Sequence, residues 1–333
     1  MPLAYDAPFL RSLDLNGAVR LTDYSTSGSV VTWKVGANWE PVDGLRLRAT
    51  RSRDIRAPNI LELFSSSIQS TAGVLDPVTN TSPVLQSFST GNPDLRPEEA
   101  DTTSAGVVVR PSFLPGFAFS VDYYRIDVKD SISTISLQNI VDRCVAGNQE
   151  LCGLITRVNG AITEIRNPYL NLQSLKTDGL DIELSYSRPV GPGDATARIL
   201  ANRVFSYAIS DRVSEVDRAG DINNAQPKWS GNATLAYRLD RFNAFADVSY
   251  IGSGKYDVTF TNPTDIKDNT IGSRIFVNGQ VSYDFGDGDN RREVFFAVSN
   301  LFNERPPAIF VYSGGPNYDR IGRALRAGFR FRL

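Results

Sequence analysis

Strict alternation of apolar and polar side chains over long segments limits how this chain can fold more than any other feature. From Ile321 to Leu333, six of the seven odd-numbered residues are apolar, and the residues between them are glycine, alanine or arginine. Successive side chains of a β-strand point to opposite faces, whereas a helix would mix the two sets around its circumference. The segment therefore predicts a strand with one apolar face and one small or cationic face.

The same alternation predicts about twelve strands, most of them longer than the ~5–6 residues of an ordinary soluble strand. A strand that crosses a bilayer needs about 9–11 residues. Aromatic residues lie near the ends of several segments, where the interfacial girdles of a membrane barrel would lie; they include Trp33, Trp39, Tyr186, Tyr250 and Tyr283. The predicted strands are 11–22, 31–40, 44–53, 100–111, 116–128, 174–189, 194–209, 227–240, 242–255, 272–286, 291–304 and 318–333.

The links between these strands alternate between short and long. The short links, rich in Pro, Gly and Asp as tight turns require, are 41–43, 112–115, 190–193, 241 and 287–290. The long links are 54–99, 129–173, 210–226, 256–271 and 305–317. Outer-membrane barrels have short periplasmic turns and long extracellular loops. The predicted fold is therefore all-β, an antiparallel transmembrane β-barrel that occupies residues 1–333 as one domain.

Residue counts exclude several classes of function. The chain has no histidine, which removes Ser-His-Asp and Cys-His catalysis and most zinc sites. A net charge of −2 gives no basic surface for a nucleic-acid partner, and no apolar run approaches the ~18 residues of a transmembrane helix. We therefore expect no catalytic residues, no cofactor and no bound metal. A soluble carbohydrate-binding β-protein stays open, because its composition would be similar.

Four motifs occur in order along the chain. They are Arg-Ala-Pro followed by Leu-Phe within 48–64, Gly-Asn-Pro-Asp-Leu-Arg-Pro-Glu within 91–99, Asn-Leu-Phe-Asn at 300–303, and Tyr-Asp then Ile-Gly-Arg at 318–323. Together they make the chain resemble the C-terminal barrel of TonB-dependent outer-membrane receptors. One departure is Leu333, where that family usually ends in Phe or Trp.

The resemblance implies a 22-stranded barrel of which this chain supplies about the last 12 strands. A complete member also has a signal peptide, a TonB box and a plug domain, and no such segment is recognisable before residue 11. We therefore expect a C-terminal fragment. Twelve strands leave two unpaired edges, which are costly in lipid, so the chain would either close as a narrower barrel or depend on the missing half.

The resemblance also implies a function and a set of partners. The function is outer-membrane, TonB-energised uptake of a scarce nutrient such as a siderophore, a cobalamin or an oligosaccharide. The partners are outer-membrane lipid, the plug domain and N-terminal barrel half, TonB only indirectly, and the barrel-assembly machinery through the strand Ile321 to Leu333. The ligand and its contact residues stay unknown. A passive or structural outer-membrane pore is the alternative.

Two cysteines, Cys144 and Cys152, lie within the long link 129–173. That link would face the oxidising exterior, which favours a disulfide. We expect the bond to join a short helix at about 135–144 to its return strand. A two-thiolate metal site is the less favoured alternative, because no histidine or further cysteine is present.

Three further groups carry weaker hypotheses. Arginines of the closing strand would face inward, either toward the plug or simply into a wet lumen: Arg326, Arg330 and Arg332. Three aspartates resemble half of a calcium loop but lack its glutamate, so a plain turn is favoured: Asp284, Asp287 and Asp289. Aromatic residues in long links would contact a ligand or belong to a girdle: Tyr256, Phe260, Phe310, Tyr312 and Tyr318.

Overall fold

The computed structural model describes residues 2–7, 9–211, 214–262, 264–286, 292–308 and 318–331. One large sheet dominates this part of the chain. Its strands are β1 (Pro2–Ala7), β2 (Leu10–Tyr24), β3 (Gly28–Val42), β4 (Leu45–Arg56), β7 (Glu98–Val109), β8 (Phe117–Ser133), β11 (Leu170–Val190), β12 (Gly193–Ser210), β13 (Glu215–Asp217), β14 (Trp229–Leu239), β15 (Phe242–Ile251), β18 (Arg274–Asp284), β19 (Arg292–Ser299) and β20 (Ala324–Phe331).

The remaining elements lie in the long links. They are α1 (Ile60–Phe64), β5 (Ile68–Gly73), β6 (Val84–Thr90), α2 (Leu137–Val145), α3 (Gln149–Cys152), β9 (Ile155–Val158), β10 (Ala161–Pro168), β16 (Gly254–Lys255) and β17 (Thr270–Ile271). No helix in the described ranges is both long and apolar enough to cross a membrane.

The large sheet is an antiparallel meander in which each wall strand pairs with the next one along the chain. Strands occur at all twelve predicted positions, and the sheet has two additional strands, β1 and the short β13, which pairs with β12 off the main path. In the described ranges, β1 and β20 each pair with a single neighbour, so the sheet has two edges there. The antiparallel β-barrel fold class is confirmed at the level of the fold, since this sheet has the strand pattern of such a wall.

The short links within the described residues, 41–43, 112–115, 190–193 and 241, all lie at one end of the sheet. At this end the chain turns so tightly that glycine is required: Gly44 and Gly116 have φ of 75° and 82°. A Cβ at Gly44 would lie 2.1 Å from the carbonyl oxygen of Arg110, and one at Gly116 would lie 1.9 Å from that of Ser187. The described parts of the long links lie at the opposite end, where residues 25–27, between β2 and β3, form a short turn.

The apolar face of the wall is exposed. Val19 on β2 is 77% exposed and Phe329 on β20 is 66% exposed, and no second sheet covers this face in the described part of the chain. A soluble β-sandwich would bury these residues between two sheets. The strands are also long: β11 has 21 residues, or roughly 70 Å at ~3.4 Å per residue. This exposure is the pattern expected of a lipid-facing surface.

The buried hydrophobic clusters lie mostly in the long links. The largest combines β5, β6, β9 and β10, which form a four-stranded sheet, with α2 and α3; we call this set of elements the loop unit. Its buried residues are Val74, Leu85, Ile135, Ile140, Val141, Leu151, Ile162 and Ile165. Two different long links supply these residues, so the loop unit is built by their association.

The closing strand is shorter than predicted. The described strand β20 begins at Ala324, and residues 318–323 form an irregular segment before it. Arg323 therefore lies outside the strand alternation, which explains why it interrupted the apolar series. Arg332 and Leu333 lie outside the described residues.

Candidate functional site: the polar face of the wall and its loops

The wall strands sort polar and apolar side chains onto opposite faces. The clearest row of paired residues crosses eight strands on the polar face, and its members are almost all charged, amide or hydroxyl residues. The row consists of Asp14, Asn38, Arg48, Gly106, Asp122, Asp181, Asn202 and Ser230. Side chains of one row lie close enough to interact, so the wall presents a continuous polar band.

The polar face is concave and holds a cavity of about 1250 Å³. The cavity reaches from β4 to β20, and loop residues Gln226 and Pro227 also line it. Its polar lining comprises Arg48, Ser120, Asp122, Asp181, Glu183, Asn202, Ser230, Asn232, Ser249, Asn278, Ser299, Asp319 and Arg326. A concave polar face opposite an exposed apolar face is the arrangement of a barrel lumen.

A bidentate ion pair on this face joins strands that are not neighbours. The Arg48 guanidinium on β4 donates two hydrogen bonds, of 2.6 and 2.5 Å, to the two carboxylate oxygens of Asp122 on β8. Gly106 on β7 lies between them, and a Cβ there would be 2.0 Å from the nearer Asp122 oxygen. The two hydrogen bonds of this pair can therefore form only because residue 106 has no side chain.

Two lumen carboxylates are held by amides instead of cations. Asn202 donates to Asp181 at 2.8 Å. Asp247 accepts from Asn232 at 2.5 Å and from Asn278 at 2.9 Å. These amide contacts fix the orientation of both carboxylates on the concave face.

The first two sequence motifs meet at the loop end of β4 and β7. Arg56 donates to both Glu98 and Glu62, at 2.6 and 3.0 Å. Glu98 also accepts the backbone N–H of Ile132 at 2.6 Å. Asn59 and Glu62 form a reciprocal capping box at the start of α1. The motifs therefore brace the point where the chain leaves the wall.

Glycine at position 91 allows these two motifs to pack together. A Cβ there would lie 2.6 Å from the backbone nitrogen of Ser65 and 2.7 Å from the carbonyl oxygen of Leu63. The Gly91 N–H donates to the carbonyl of Ser65 at 3.2 Å, and that of Asn92 donates to Glu62 at 2.8 Å. The backbone of the Gly-Asn-Pro sequence therefore packs closely against the end of α1.

The last two motifs form a second junction. Asn300 and Asn303 adopt positive φ of 50° and 56°, which asparagine tolerates better than most residues. The side-chain oxygen of Asn303 accepts the backbone N–H of Arg323 at 3.0 Å. The side-chain oxygen of Asn278 accepts the backbone N–H of Asn300 at 2.9 Å. The Asn-Leu-Phe-Asn turn thereby fixes the entry into β20.

A buried ion pair holds the loop unit together. Asp76 is fully buried, and both its carboxylate oxygens accept from Arg157, at 2.6 and 2.9 Å. Hydrogen bonds from Arg157 and from the backbone of Val78 hold the pKa of Asp76 at about 2, against the opposing effect of its burial. This pair connects the 54–99 link to the 129–173 link.

Cys144 and Cys152 form a disulfide in this structure, with their Cα atoms 4.7 Å apart. Cys144 lies in α2 and Cys152 in α3, so the bond joins two short helices. The expectation that it would join a helix to its return strand was wrong on this point, because the intervening chain turns into α3. Arg143, next to the bond, forms an ion pair with Asp211 of the following long link.

A polar cluster connects the next two long links. The carboxylate of Asp221, fully buried, accepts from Arg218 at 2.6 Å and from the backbone of Asn224 at 2.9 Å. Asn224 in turn donates to Asp257 at 2.9 Å. Hydrogen bonds from Thr259 are among the contacts that lower the pKa of Asp257, against its desolvation. The long links are thus cross-linked to one another.

The weaker sequence hypotheses have mixed outcomes. Arg326 faces the cavity, and Arg330 pairs with Glu293 at 3.1 Å on the same face. Asp284 accepts the backbone N–H of Gly286 at 3.0 Å, as in a turn. Tyr318 is buried in a loop cluster with Ile222. Outside the described residues lie Arg332, Asp287, Asp289, Phe310 and Tyr312.

No group of three or more potential metal-ligating side chains occurs within the ranges that the structure describes. The sequence reasoning missed the amide-held carboxylates Asp181 and Asp247, and it missed the ion pairs Arg48–Asp122 and Asp76–Arg157. Alternation alone places Asp122, Asp181 and Asp247 on the polar face. The pairings depend on strand register, which alternation does not specify.

The chain was compared with known families and proteins. Residues 4–301 match the family model described as TonB dependent receptor-like, beta-barrel. Curated relatives include "Outer membrane protein A" of Rickettsia rickettsii, 24% identical over 73% of this chain and 11% of that protein. Another is "Vitamin B12 transporter BtuB" of Vibrio vulnificus, 23% identical over 72% of this chain and 29% of that protein. The chain therefore spans less than a third of either relative.

Solved structures share the fold. The siderophore receptor PirA of Acinetobacter baumannii superposes with a TM-score of 0.67 at 18% identity, over 96% of this chain and 43% of that one. The ferric enterobactin receptor PfeA of Pseudomonas aeruginosa, in complex with BCV-L6, gives 0.64 at 14% identity, over 95% and 42%. The matched family consists of transport receptors of the outer membrane, and no enzyme family is indicated.

Proposed function

We propose, because the chain belongs to the TonB-dependent receptor-like β-barrel family, that it supplies part of the wall and several outer loops of an outer-membrane uptake receptor. The observation that carries the proposal is the concave polar face, with its cavity of about 1250 Å³, opposite an exposed apolar face. Such a wall encloses a wet interior and contacts lipid on its outside. We place it in the bacterial outer membrane, with its short turns on the periplasmic side.

The polar band fits a protein plug better than free solvent. Asp181 and Asp247 are oriented by amides, so they offer fixed hydrogen-bond acceptors to donor groups of a domain seated in the lumen. Arg326 adds a cation to the same cavity. A plug domain is therefore the partner we assign to this face, and TonB would act through that plug.

The sheet also needs further strands. The main path from β1 to β20 has thirteen strands, and because neighbours are antiparallel, the two edge strands run in the same direction. Direct pairing of β1 with β20 would be parallel, within one chain or between two copies. An antiparallel closure therefore needs an odd number of additional strands, and unpaired edges in lipid would cost several kcal/mol per backbone group. This favours completion by other receptor strands over a narrow self-closed pore.

The nutrient we propose is a scarce small molecule of the siderophore, cobalamin or oligosaccharide class. Two observations support the first two classes: one relative is named as a vitamin B12 transporter, and solved structures with the same fold are named as siderophore receptors. The described loops do not favour one class by charge, because their main ionic groups, such as Asp76 and Arg157, are bound to each other.

The test is uptake in a strain that lacks its own receptors. We expect that this chain alone, correctly inserted, restores no growth on ferric siderophores or on vitamin B12. Co-production with a polypeptide that carries a plug and the remaining strands should restore growth on one of them, and deletion of TonB should abolish that growth. Energised uptake by the chain alone would refute the dependence on a plug. Recovery of the chain in the soluble fraction would refute the membrane assignment.

A further inference from the structure

A second, smaller concavity lies on the opposite, outward face of the wall. It is a groove of about 330 Å³ that runs across β14, β15, β18 and β19. Its floor consists of Ala244, Ala246 and Gly279, and its sides include Leu235 on β14 and Phe296 on β19. The two middle strands, β15 and β18, contribute these three very small residues, whereas β14 and β19 on either side contribute large apolar residues. The difference in side-chain size forms the groove.

The chemistry of the groove points to one kind of occupant. Its lining on the outward face is apolar, so ordered water would find no hydrogen-bonding partners there. If the groove were empty, the atoms that line it would also lose favourable dispersion contacts. The groove is continuous with the exposed apolar face, which is covered by lipid hydrocarbon in a membrane barrel. A flexible hydrocarbon chain is the group that fills such a site.

The volume of the groove and its position along the strands further restrict which molecule can occupy it. The groove of about 330 Å³ is much larger than the ~30 Å³ that one water molecule occupies in the liquid, so it accommodates a segment of a hydrocarbon chain and not only a single small group. Ala244 lies two residues from the start of β15, next to the short turn at 240–241. Gly279 lies at the middle of β18, so the groove extends from the short-turn side to about the middle of the wall and faces the half of the bilayer on that side.

We propose that this groove is a binding site for one fatty-acyl chain of a glycerophospholipid in the periplasmic leaflet. The chain lies along Ala244 and Ala246 and contacts Gly279, while Leu235 and Phe296 prevent its lateral exchange. The site is distinct from the polar lumen, and it requires only that the wall be inserted in the membrane.

The experiment uses the full chain in phosphatidylethanolamine and phosphatidylglycerol vesicles that contain a phosphatidylethanolamine with a diazirine midway along one acyl chain. After illumination, labelled peptides are quantified by mass spectrometry. We expect labelling of 242–251 and 274–284 to exceed that of the apolar strand 28–42 several-fold. Ala246→Leu fills the groove from the lipid side, so it should reduce the labelling of 242–251 and 274–284 to the level of 28–42.

The control is Ala105→Leu, because Ala105 is exposed on the same outward face of β7 and adds bulk away from the groove. It should preserve the several-fold excess. If Ala246→Leu fails to insert, Gly279→Ala serves as a second filling variant, since a Cβ there has its nearest neighbours at 3.7 Å. Uniform labelling of the unaltered chain would overturn the proposal.

Discussion

At Gly106, the absence of a side chain lets Arg48 on β4 reach Asp122 on β8 across the intervening strand. Gly328 on β20 acts in a similar way. The ring of Phe295 lies 2.8 Å from the place where its Cβ would be, and the Arg330 guanidinium lies 4.4 Å from the centre of that ring. On the polar face, glycine therefore makes room for charged and aromatic groups of neighbouring strands.

The role of Gly106 can be tested with a matched pair of substitutions. Gly106→Ala should lower the free energy of unfolding by about 1–3 kcal/mol, because overpacking forces the Arg48–Asp122 pair apart. Gly17→Ala should change it by about 0.5 kcal/mol or less, since a Cβ there has its nearest neighbour at 3.8 Å. Urea titration in detergent, followed by tryptophan fluorescence, measures both. Equal stability of the two variants would contradict this account.

At the level of elements, the loop unit is stabilised differently from the wall. Its helices and strands bury a hydrophobic core, and the buried Asp76–Arg157 pair joins its two parent links. Breaking one side of a buried pair leaves an uncompensated charge, which costs about 3–5 kcal/mol. The unit therefore combines a buried core with ionic and covalent cross-links, whereas the wall strands are held together mainly by backbone pairing.

The ion pair predicts an acid-dependent loss of stability in the loop unit. The pKa of Asp76 is lowered from about 3.8 to about 2 in the folded state, so its stabilising effect is complete at neutral pH and declines as pH falls from about 4 to about 2. Hydrogen exchange of 68–90 and 155–168, corrected for intrinsic rates, should accelerate across that range. Asp76→Asn should exchange faster at pH 6 and vary little with pH. If the hydrogen exchange of these two segments in the unaltered protein did not change with pH, that result would contradict this mechanism.

The Cys144–Cys152 bond leads to a second prediction for the loop unit. Replacing both cysteines with serine should destabilise the unit by about 2–3 kcal/mol, because so short a closed loop restricts the unfolded state. Exchange should accelerate in α2 and α3, while 174–189 in the wall stays protected. Mass spectrometry of the non-reduced protein provides the direct check: two free thiols would mean that the bond is absent in the folded protein.

On the scale of the whole molecule, four long links, 54–99, 129–173, 210–226 and 256–271, are gathered at one end of the sheet and are connected in series in their described parts. The loop unit joins the links 54–99 and 129–173. The ion pair between Arg143 and Asp211 joins 129–173 to 210–226. The hydrogen bond between Asn224 and Asp257 joins 210–226 to 256–271. The loops therefore form a continuous layer at that end, next to the cavity residues Gln226 and Pro227. A connected layer resists independent motion of any single loop.

The orientation of this layer can be measured in intact cells. Val78 lies in the loop unit and is 65% exposed, and Phe113 lies in a short turn and is 87% exposed. With a membrane-impermeant maleimide, Val78→Cys should be labelled in whole cells, and Phe113→Cys only after the outer membrane is opened. The reverse result would invert the proposed topology.

The sequence by itself determined the strands, their faces and the asymmetry of their links. Alternation with a period of two depends only on local backbone geometry, so β2, β3 and β11 fell where the pattern placed them. The four motifs also indicated the family before any geometry was known. The entry to β20 was misjudged, because the positive-φ turn at Asn300 and Asn303, and its contact with Arg323, are not visible in alternation.

Only the tertiary structure decided which residues meet across strands and loops. Pairs such as Arg48–Asp122 and Asp76–Arg157 are 74 and 81 residues apart, and they form only when register and loop packing are settled. The extra strand β1 and the small-residue groove at Ala246 and Gly279 also depend on that register. Sidedness is a property of each strand alone, whereas cavities and ion pairs are properties of how strands are brought together.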